Sequence, residues 1–288
     1  MLKVEEKYSW YHLDSHDVEA FASLKTQLHF AIQNVAAVGR MFLGESERDE
    51  NAALIWVPGL WRMAGKWIKA NDTFRSSLSF EDFTIYLVNK KVKTLASLYL
   101  GGKTQRQILV WLEEHIINLE LSSAHLRMIL PYDLPGFRTG RKSDTYKDPD
   151  LALCKTIGGH FHNAFFLFSK MKEVEKKTSK IIINPQAFDI NMQIILKDTG
   201  EEATNTYLTV GYSPGDEFYG EPYYFVKSWP HVPDNRLRPL KTRGFWHEDD
   251  WIGAVYMVRN LWDSTDQPST AHYFFQEATK QMRRLLMN

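Results

Sequence analysis

The side chains best suited by type and spacing to hold a small molecule are His29, Gln33, Asp189, Tyr219, Glu221, Tyr223 and Trp229. His29 and Gln33 stand four residues apart, which places both on one face of a helix. They read either as polar groups lining a cavity or as a hydrogen-bonded pair beside the core, since buried polar side chains find partners. The other five fall in or before the stretch Tyr207 to Trp262, which concentrates thirteen of the chain's aromatic residues among Asp216, Glu217, His231, His247, Glu248, Asp249 and Asp250. Rings supply contact area while a few polar groups fix orientation, the usual make-up of a ligand pocket. The same composition also describes the wet edge of an aromatic core, where Tyr and Trp seek partners for O–H and N–H. If acid–base chemistry occurs, Asp189, Glu221 and His29 are its candidates, because desolvation among rings raises the pKa of a carboxylate.

Within that stretch, Gly211 to Pro233 is the most distinctive loop system. Pro214-Gly215-Asp216 has turn chemistry, because Pro presets φ and Gly accepts positive φ. Pro222, Pro230 and Pro233 stiffen the chain beyond that turn, giving either a pocket wall or a packed loop that closes a sheet edge. Other constellations are weaker. His160 and His162 diverge by roughly 200° on a helix, whereas a helical metal pair needs i, i+4 spacing. This places one of them on the core face and the other outside. Trp246 to Trp251 contains ligand types for a divalent ion, but consecutive acids in a turn more often solvate a loop, and no metal or other cofactor is assigned. Cys154 and His160 point apart on a helix, which argues against a Cys–His nucleophile. The chain has no Gly-x-Ser-x-Gly elbow, Walker loop or Gly-x-Gly-x-x-Gly motif.

Composition narrows the function classes. Thirty-five basic residues balance thirty-five acidic ones, which removes the electrostatic footprint expected for nucleic-acid binding. A single cysteine excludes an internal disulfide framework and favours a reducing compartment. The first residues lack the basic and apolar regions of a signal peptide, and no apolar run reaches the roughly 20 residues that span a bilayer. The expectation is a soluble cytoplasmic protein with no nucleic-acid or membrane partner.

These residues must be positioned by regular elements. Helical spacing runs from Val18 to about Gly44, and again over Ile108 to Leu119, about Pro149 to Lys176, and Pro268 to Met287. Strands fit Leu54–Val57, Leu60–Ile68, Leu78–Val88 and Val92–Leu98 in the first part, with His125–Leu130 a further short one. In the second part they fit Ile181–Ile183, Phe188–Leu196, Thr206–Tyr212, Tyr223–Val226 and Trp251–Val258. The segment 131–148, rich in Pro, Gly, Asp and Arg, reads as the connection between an α+β half over 1–130 and another over 149–288. The fold class expected is α+β: two helix, antiparallel meander, helix halves, with helices packed on the sheet or sheets. Whether the meanders form one sheet or two stays open at this level.

Four blocks then resemble, in order and spacing, an uncharacterised bacterial family of unknown function. They are Leu28-His29-Phe30-Ala31-Ile32-Gln33, Phe188-Asp189, Gly211-Tyr212-Ser213-Pro214-Gly215-Asp216, and Tyr223-Tyr224-Phe225-Val226-Lys227-Ser228-Trp229-Pro230. They are similar to that family's Leu-His-x-x-x-Gln, Phe-Asp, Gly-Phe-Trp-Pro-Gly-Asn and Phe-Tyr-x-Tyr-x-Tyr-Pro runs, and Val258-Arg259 also fits. The family's His-Phe-Phe-Trp-Gly block is replaced here by Ile182-Ile183-Asn184-Pro185-Gln186. The resemblance therefore implies a layout and a pocket location but no chemistry. The functional expectation is a small-molecule-binding protein with an aromatic and acidic pocket. The alternatives are an enzyme using Asp/Glu and His in that pocket, or a structural or interaction protein.

Overall fold

Apolar residues at helical spacing put Phe21, Leu24, Leu28, Ile32 and Val35 on the buried side of α1 (Val18–Phe42). Near its end the helix is buried all round, where Ala36, Ala37, Val38 and Gly39 follow one another. Gly39 is required there: a Cβ would stand 2.3 Å from the Asn51 carbonyl oxygen. The computed structural model describes residues 9–44, 46–119, 130–134, 145–201, 204–233 and 236–287. The strand expected over His125–Leu130 lies outside them except for Leu130, as does much of the connecting segment 131–148.

The first sheet is an antiparallel meander in the order β1 (Ile55–Val57), β2 (Arg62–Ala64), β3 (Phe74–Ser79), β4 (Thr84–Asn89) and β5 (Thr94–Tyr99). Two expected strands differ from those seen. Leu60–Ile68 shrinks to β2, because Trp61 takes a left-handed conformation with φ 50°. Leu78–Val88 is two strands, joined by a turn in which Phe83 has φ 51°. Phe80 and Phe83 are both fully buried on either side of Glu81 and Asp82, so the apolar pattern resumes at once beyond the turn and hides it. The helix α2 (Gln105–Ile117) follows, opened by a capping box between Thr104 and Gln107 and burying Ile108, Leu112 and Ile116.

The second part opens with α3 (Leu151–Val174), which runs unbroken through Gly158 and Gly159. Its sheet contains β6 (Ile182–Asn184), β7 (Asp189–Lys197), β8 (Thr206–Ser213), β9 (Tyr223–Trp229), β10 (Phe245–His247) and β11 (Gly253–Met257). The order is β10-β11-β9-β8-β7-β6, so the meander is interrupted once, where β11 inserts between β9 and β10. The closing helix α4 (Gln267–Met287) lays Phe275 against Tyr224 at 5.4 Å and Phe274 against Tyr256 at 5.3 Å between ring centroids. Phe161 of α3 meets Tyr212 at 5.2 Å, edge to face. The fold is thus α+β, each half running helix, antiparallel strands, helix, with two sheets.

The chain divides into two compact units. One comprises Val18–Gly158 with Ile183–Phe188; the other comprises Met1–Asp17, Gly159–Ile182 and Asp189–Asn288. The division therefore falls elsewhere than at the expected connection 131–148. The opening segment belongs with the later unit because Gln267 and Asn163 hold it. Gln267 accepts from Trp10 Nε1 and from the Leu13 N–H and donates to the Leu13 carbonyl, while Asn163 pairs with both backbone groups of Tyr11. This segment also changes the surroundings of the histidine pair. His160 and His162 are both buried, at 0% and 5% exposure, against the expectation of one outside. His162 Nε2 lies 2.9 Å from the Ser9 carbonyl oxygen, and Tyr11 packs so close that a Cβ on Gly159 would be 2.3 Å from its ring.

Candidate functional site

His29 and Gln33 come together as their spacing predicts, in the unit that holds residues 18–158 and 183–188. Both reach the Pro185 carbonyl oxygen: His29 Nε2 at 2.9 Å, and the Gln33 amide donating at 2.7 Å. Tyr132 donates to Gln33 Oε1 at 2.9 Å. The His29 ring stacks on Phe188 at 5.0 Å and 7°, and Phe188 takes a left-handed φ of 53°. Burial lowers the pKa of His29 to about 4, only partly offset by its hydrogen bonds to the backbone of Pro185 and Gln186, so the ring is neutral near pH 7. These two side chains hold the 183–188 segment. This is the hydrogen-bonded arrangement weighed for them in the sequence, and they have little bonding capacity left over.

Asp189, Tyr219, Glu221, Tyr223 and Trp229 all belong to the other unit. In the second sheet, Tyr212, Tyr224 and Tyr256 point to the helices. The intervening residues point to the opposite face, since side chains alternate along a strand. That face carries Asp189 and Asn191 on β7, Gly211 on β8, Tyr223, Phe225, Lys227 and Trp229 on β9, Gly253 and Val255 on β11, and Phe245 and His247 on β10. Phe225 is registered with Gly211, and Lys227 with Gly253.

The two glycines let aromatic rings approach the backbone of neighbouring strands. A Cβ on Gly211 would stand 2.1 Å from Phe225 Cζ, and one on Gly253 would stand 2.4 Å from the Trp251 ring. Without side chains at those positions, Phe225 leans across β8 and Trp251 covers β11. Lys227 stands between them, its Nζ 4.1 Å from the Trp251 ring centroid and 4.9 Å from that of Phe225. Such placement favours the ammonium through the ring quadrupole. Burial nevertheless lowers the Lys227 pKa, opposed by the charges of Asp189 and Asp216. Burial raises the pKa of Asp189 to about 6, opposed by Lys227 and by a 3.2 Å hydrogen bond from Asn191. The two groups act on each other, yet no ion pair joins them at 4.0 Å or less.

The loop between β8 and β9 supplies the wall. Asp216 accepts from the N–H groups of Phe218 and Tyr219 at 3.0 and 3.1 Å and from the Tyr223 hydroxyl, which fixes the turn at Pro214-Gly215. Tyr219 sits edge to face with Tyr223 at 5.1 Å, and its hydroxyl lies 2.8 Å from His247 Nδ1. The His247 ring in turn stacks on Trp251 at 4.2 Å. Tyr223, Phe225, Val255 and Met257 form a buried cluster beneath.

Two of the sequence candidates take other roles. Glu221 turns to an ion pair with Arg259. Trp229 shares the face but ends its strand 39% exposed, with His231 as its ring neighbour at 5.7 Å. Lys227, Phe225 and the two glycines were not among the site candidates, and His247 and Trp251 were read only as part of the Trp246 to Trp251 constellation. The alternation Tyr223, Phe225, Lys227, Trp229 was the available signal: a lysine in the middle of an aromatic strand face. Among the described residues no cluster of three or more His, Cys, Asp or Glu could hold a metal ion, and no helix is long and apolar enough to cross a membrane. No family model, curated protein or solved structure matches the chain.

Proposed function

We propose that this protein binds a small polar ligand on the aromatic face of its second sheet, with Asp189 and Lys227 as the polar contacts. One observation carries the reading: two opposite charges share a ring-covered face without an ion pair between them, Asp189 held by the Asn191 amide and Lys227 by ring faces. A desolvated charge without contact compensation is costly, and a ligand that bonds both relieves that cost. The rings of Phe225, Tyr219 and Trp251 add apolar area around those charges. An acid–base enzyme on the same face is the second reading. It is favoured by Asp189, whose pKa of about 6 suits proton transfer near neutrality. A cytoplasmic location accompanies either reading, favoured by the lone buried Cys154. Kinship with the uncharacterised bacterial family is favoured by the ordered blocks that end in Tyr223–Pro230.

A thermal-shift screen of metabolites tests the proposal. A true ligand at a hundredfold its Kd stabilises the fold by about 2.7 kcal/mol. Trp251→Leu, which strips one wall from Lys227, is expected to weaken that ligand at least about tenfold, or about 1.4 kcal/mol. A ligand indifferent to Trp251→Leu and to Lys227→Met binds elsewhere, and that result refutes the assignment. Turnover of a bound compound that disappears in Asp189→Asn, with binding intact, selects the enzymatic reading.

A further inference from the structure

We propose that the ligand of this face is a small zwitterion, a cationic nitrogen meeting Asp189 and an acidic group meeting Lys227. The inference rests on the binding reading above and gives it a substrate class. The charges on this one sheet face are incompletely matched. Among the described residues, Asp189 accepts from the Asn191 amide and from its own backbone N–H. Lys227 is flanked by ring faces and, among the described residues, has no carboxylate within ion-pair distance. Arg40 in the other unit shows the opposite case: Nε and Nη2 grip the Asp49 carboxylate at 2.8 and 2.5 Å and the Tyr132 hydroxyl stands beside them, so its charge is already matched.

Each simpler ligand leaves something unpaired. A plain anion bonds Lys227 but brings a like charge toward Asp189 and Asp216. A plain cation bonds Asp189 but leaves the Lys227 ammonium between its rings. A neutral polyol supplies dipoles to two full charges. A molecule with both charges matches both groups, and charge-assisted hydrogen bonds are roughly twice as strong as neutral ones.

The ring geometry relates the two charges across the sheet. Asn191 is registered with Gly211, and Gly211 with Phe225. Phe225, lying over Gly211, therefore leans from β9 toward the strand that carries Asp189, while Lys227 Nζ stands 4.9 Å from its centroid. The ring thus lies beside Lys227 and toward β7. Asp216 is not the counter-charge for the ligand nitrogen, because both its oxygens are engaged by the loop and Tyr223.

The test is calorimetric titration of the full chain with a defined panel: the common amino acids, glycine betaine, matched amines lacking the acid, matched acids lacking the amine, and neutral polyols. The expected result is saturable binding of at least one zwitterion, with each single-charge analogue at least tenfold weaker. Asp189→Asn is expected to erase the difference between the zwitterion and its acid-only analogue. Lys227→Met is expected to erase the difference between the zwitterion and its amine-only analogue. Lys227→Gln provides a second variant should the methionine disturb the strand, and circular dichroism confirms folding in each. A polyol or single-charge compound that outbinds every zwitterion overturns this inference while leaving the binding reading standing. Absence of binding by any member of the panel or of the wider metabolite screen overturns both.

Discussion

At the scale of single residues, the candidate site depends on two positions where a side chain is missing. Gly211 and Gly253 let Phe225 and Trp251 lie against the backbone of neighbouring strands, and Lys227 is held by those rings. Gly211→Ala places a methyl inside the volume of the Phe225 ring, which must lift from the sheet. The expected destabilisation is about 1–3 kcal/mol, the range for overpacking a filled site, and chemical denaturation measures it. The cause is specific, so it has a specific control. In a Phe225→Leu background the ring is gone, and Gly211→Ala is expected to cost less than half as much, a coupling typical of residues in direct contact. Equal costs in both backgrounds would show that Gly211 serves backbone conformation and not the ring. Neither glycine was legible as a site residue in the sequence, because a strand glycine there signals only a bulge or a close approach, without saying what approaches.

At the scale of elements, the long helices and most strands were legible, since helices such as α1 and strands such as β7 bury one face and repeat their apolar residues accordingly. The pattern could not show a two-residue turn flanked on both sides by buried rings. Phe80 and Phe83 continue the apolar run of β3 through a left-handed turn, and β10 is too short to display a period. Nor could it show the placing of residues 9–17, which form no helix or strand and are fixed by side chains distant in sequence. Gln267, at the start of α4, is its anchor: it serves both backbone groups of Leu13, a fully buried residue, at 2.9 and 2.7 Å. Gln267→Leu keeps the bulk and removes the bonding, leaving a buried N–H and C=O unpaired. The expected loss is about 2–3 kcal/mol, at about 1–3 kcal/mol for each orphaned group with partial relaxation. Hydrogen exchange at Leu13 is expected to rise with it, whereas exchange in the first sheet is expected to stay unchanged. Unaltered protection at Leu13 would count against the anchor.

At the scale of the whole molecule, the sequence placed the α+β class correctly but grouped chemistry by sequence proximity and family likeness. His29 and Gln33 looked like partners of Asp189 and Tyr219 because all are polar groups beside rings. Structure instead gives the first two a backbone carbonyl to hold, and gives Asp189 a lysine across the sheet. The same buried groups set how stability responds to acid. His29 and His160 are lowered by burial to about 4 and about 3, so below pH 6.5 the unfolded chain takes protons that the fold refuses, and stability falls as pH falls. His16, His162 and His272 are lowered in the same sense. Asp189 works the other way: raised to about 6, facing Lys227, Asp216 and Asn191, it takes its proton in the fold first, so stability rises as pH falls from about 6 toward 3.8. The histidines outnumber it. At about 1.4 kcal/mol per proton per pH unit, a net imbalance of one proton or more implies a loss on the order of 2 kcal/mol between pH 6.5 and 5. His29→Gln is expected to flatten that decline, because an amide keeps a donor for the Pro185 carbonyl without titrating. Asp189→Asn is expected to steepen it below pH 6, and to stabilise the ligand-free protein above pH 6 by removing an uncompensated charge. Urea denaturation at half-unit steps of pH measures all three curves, and a wild-type profile that is flat or rises toward pH 5 would show that these histidines are charged in the fold.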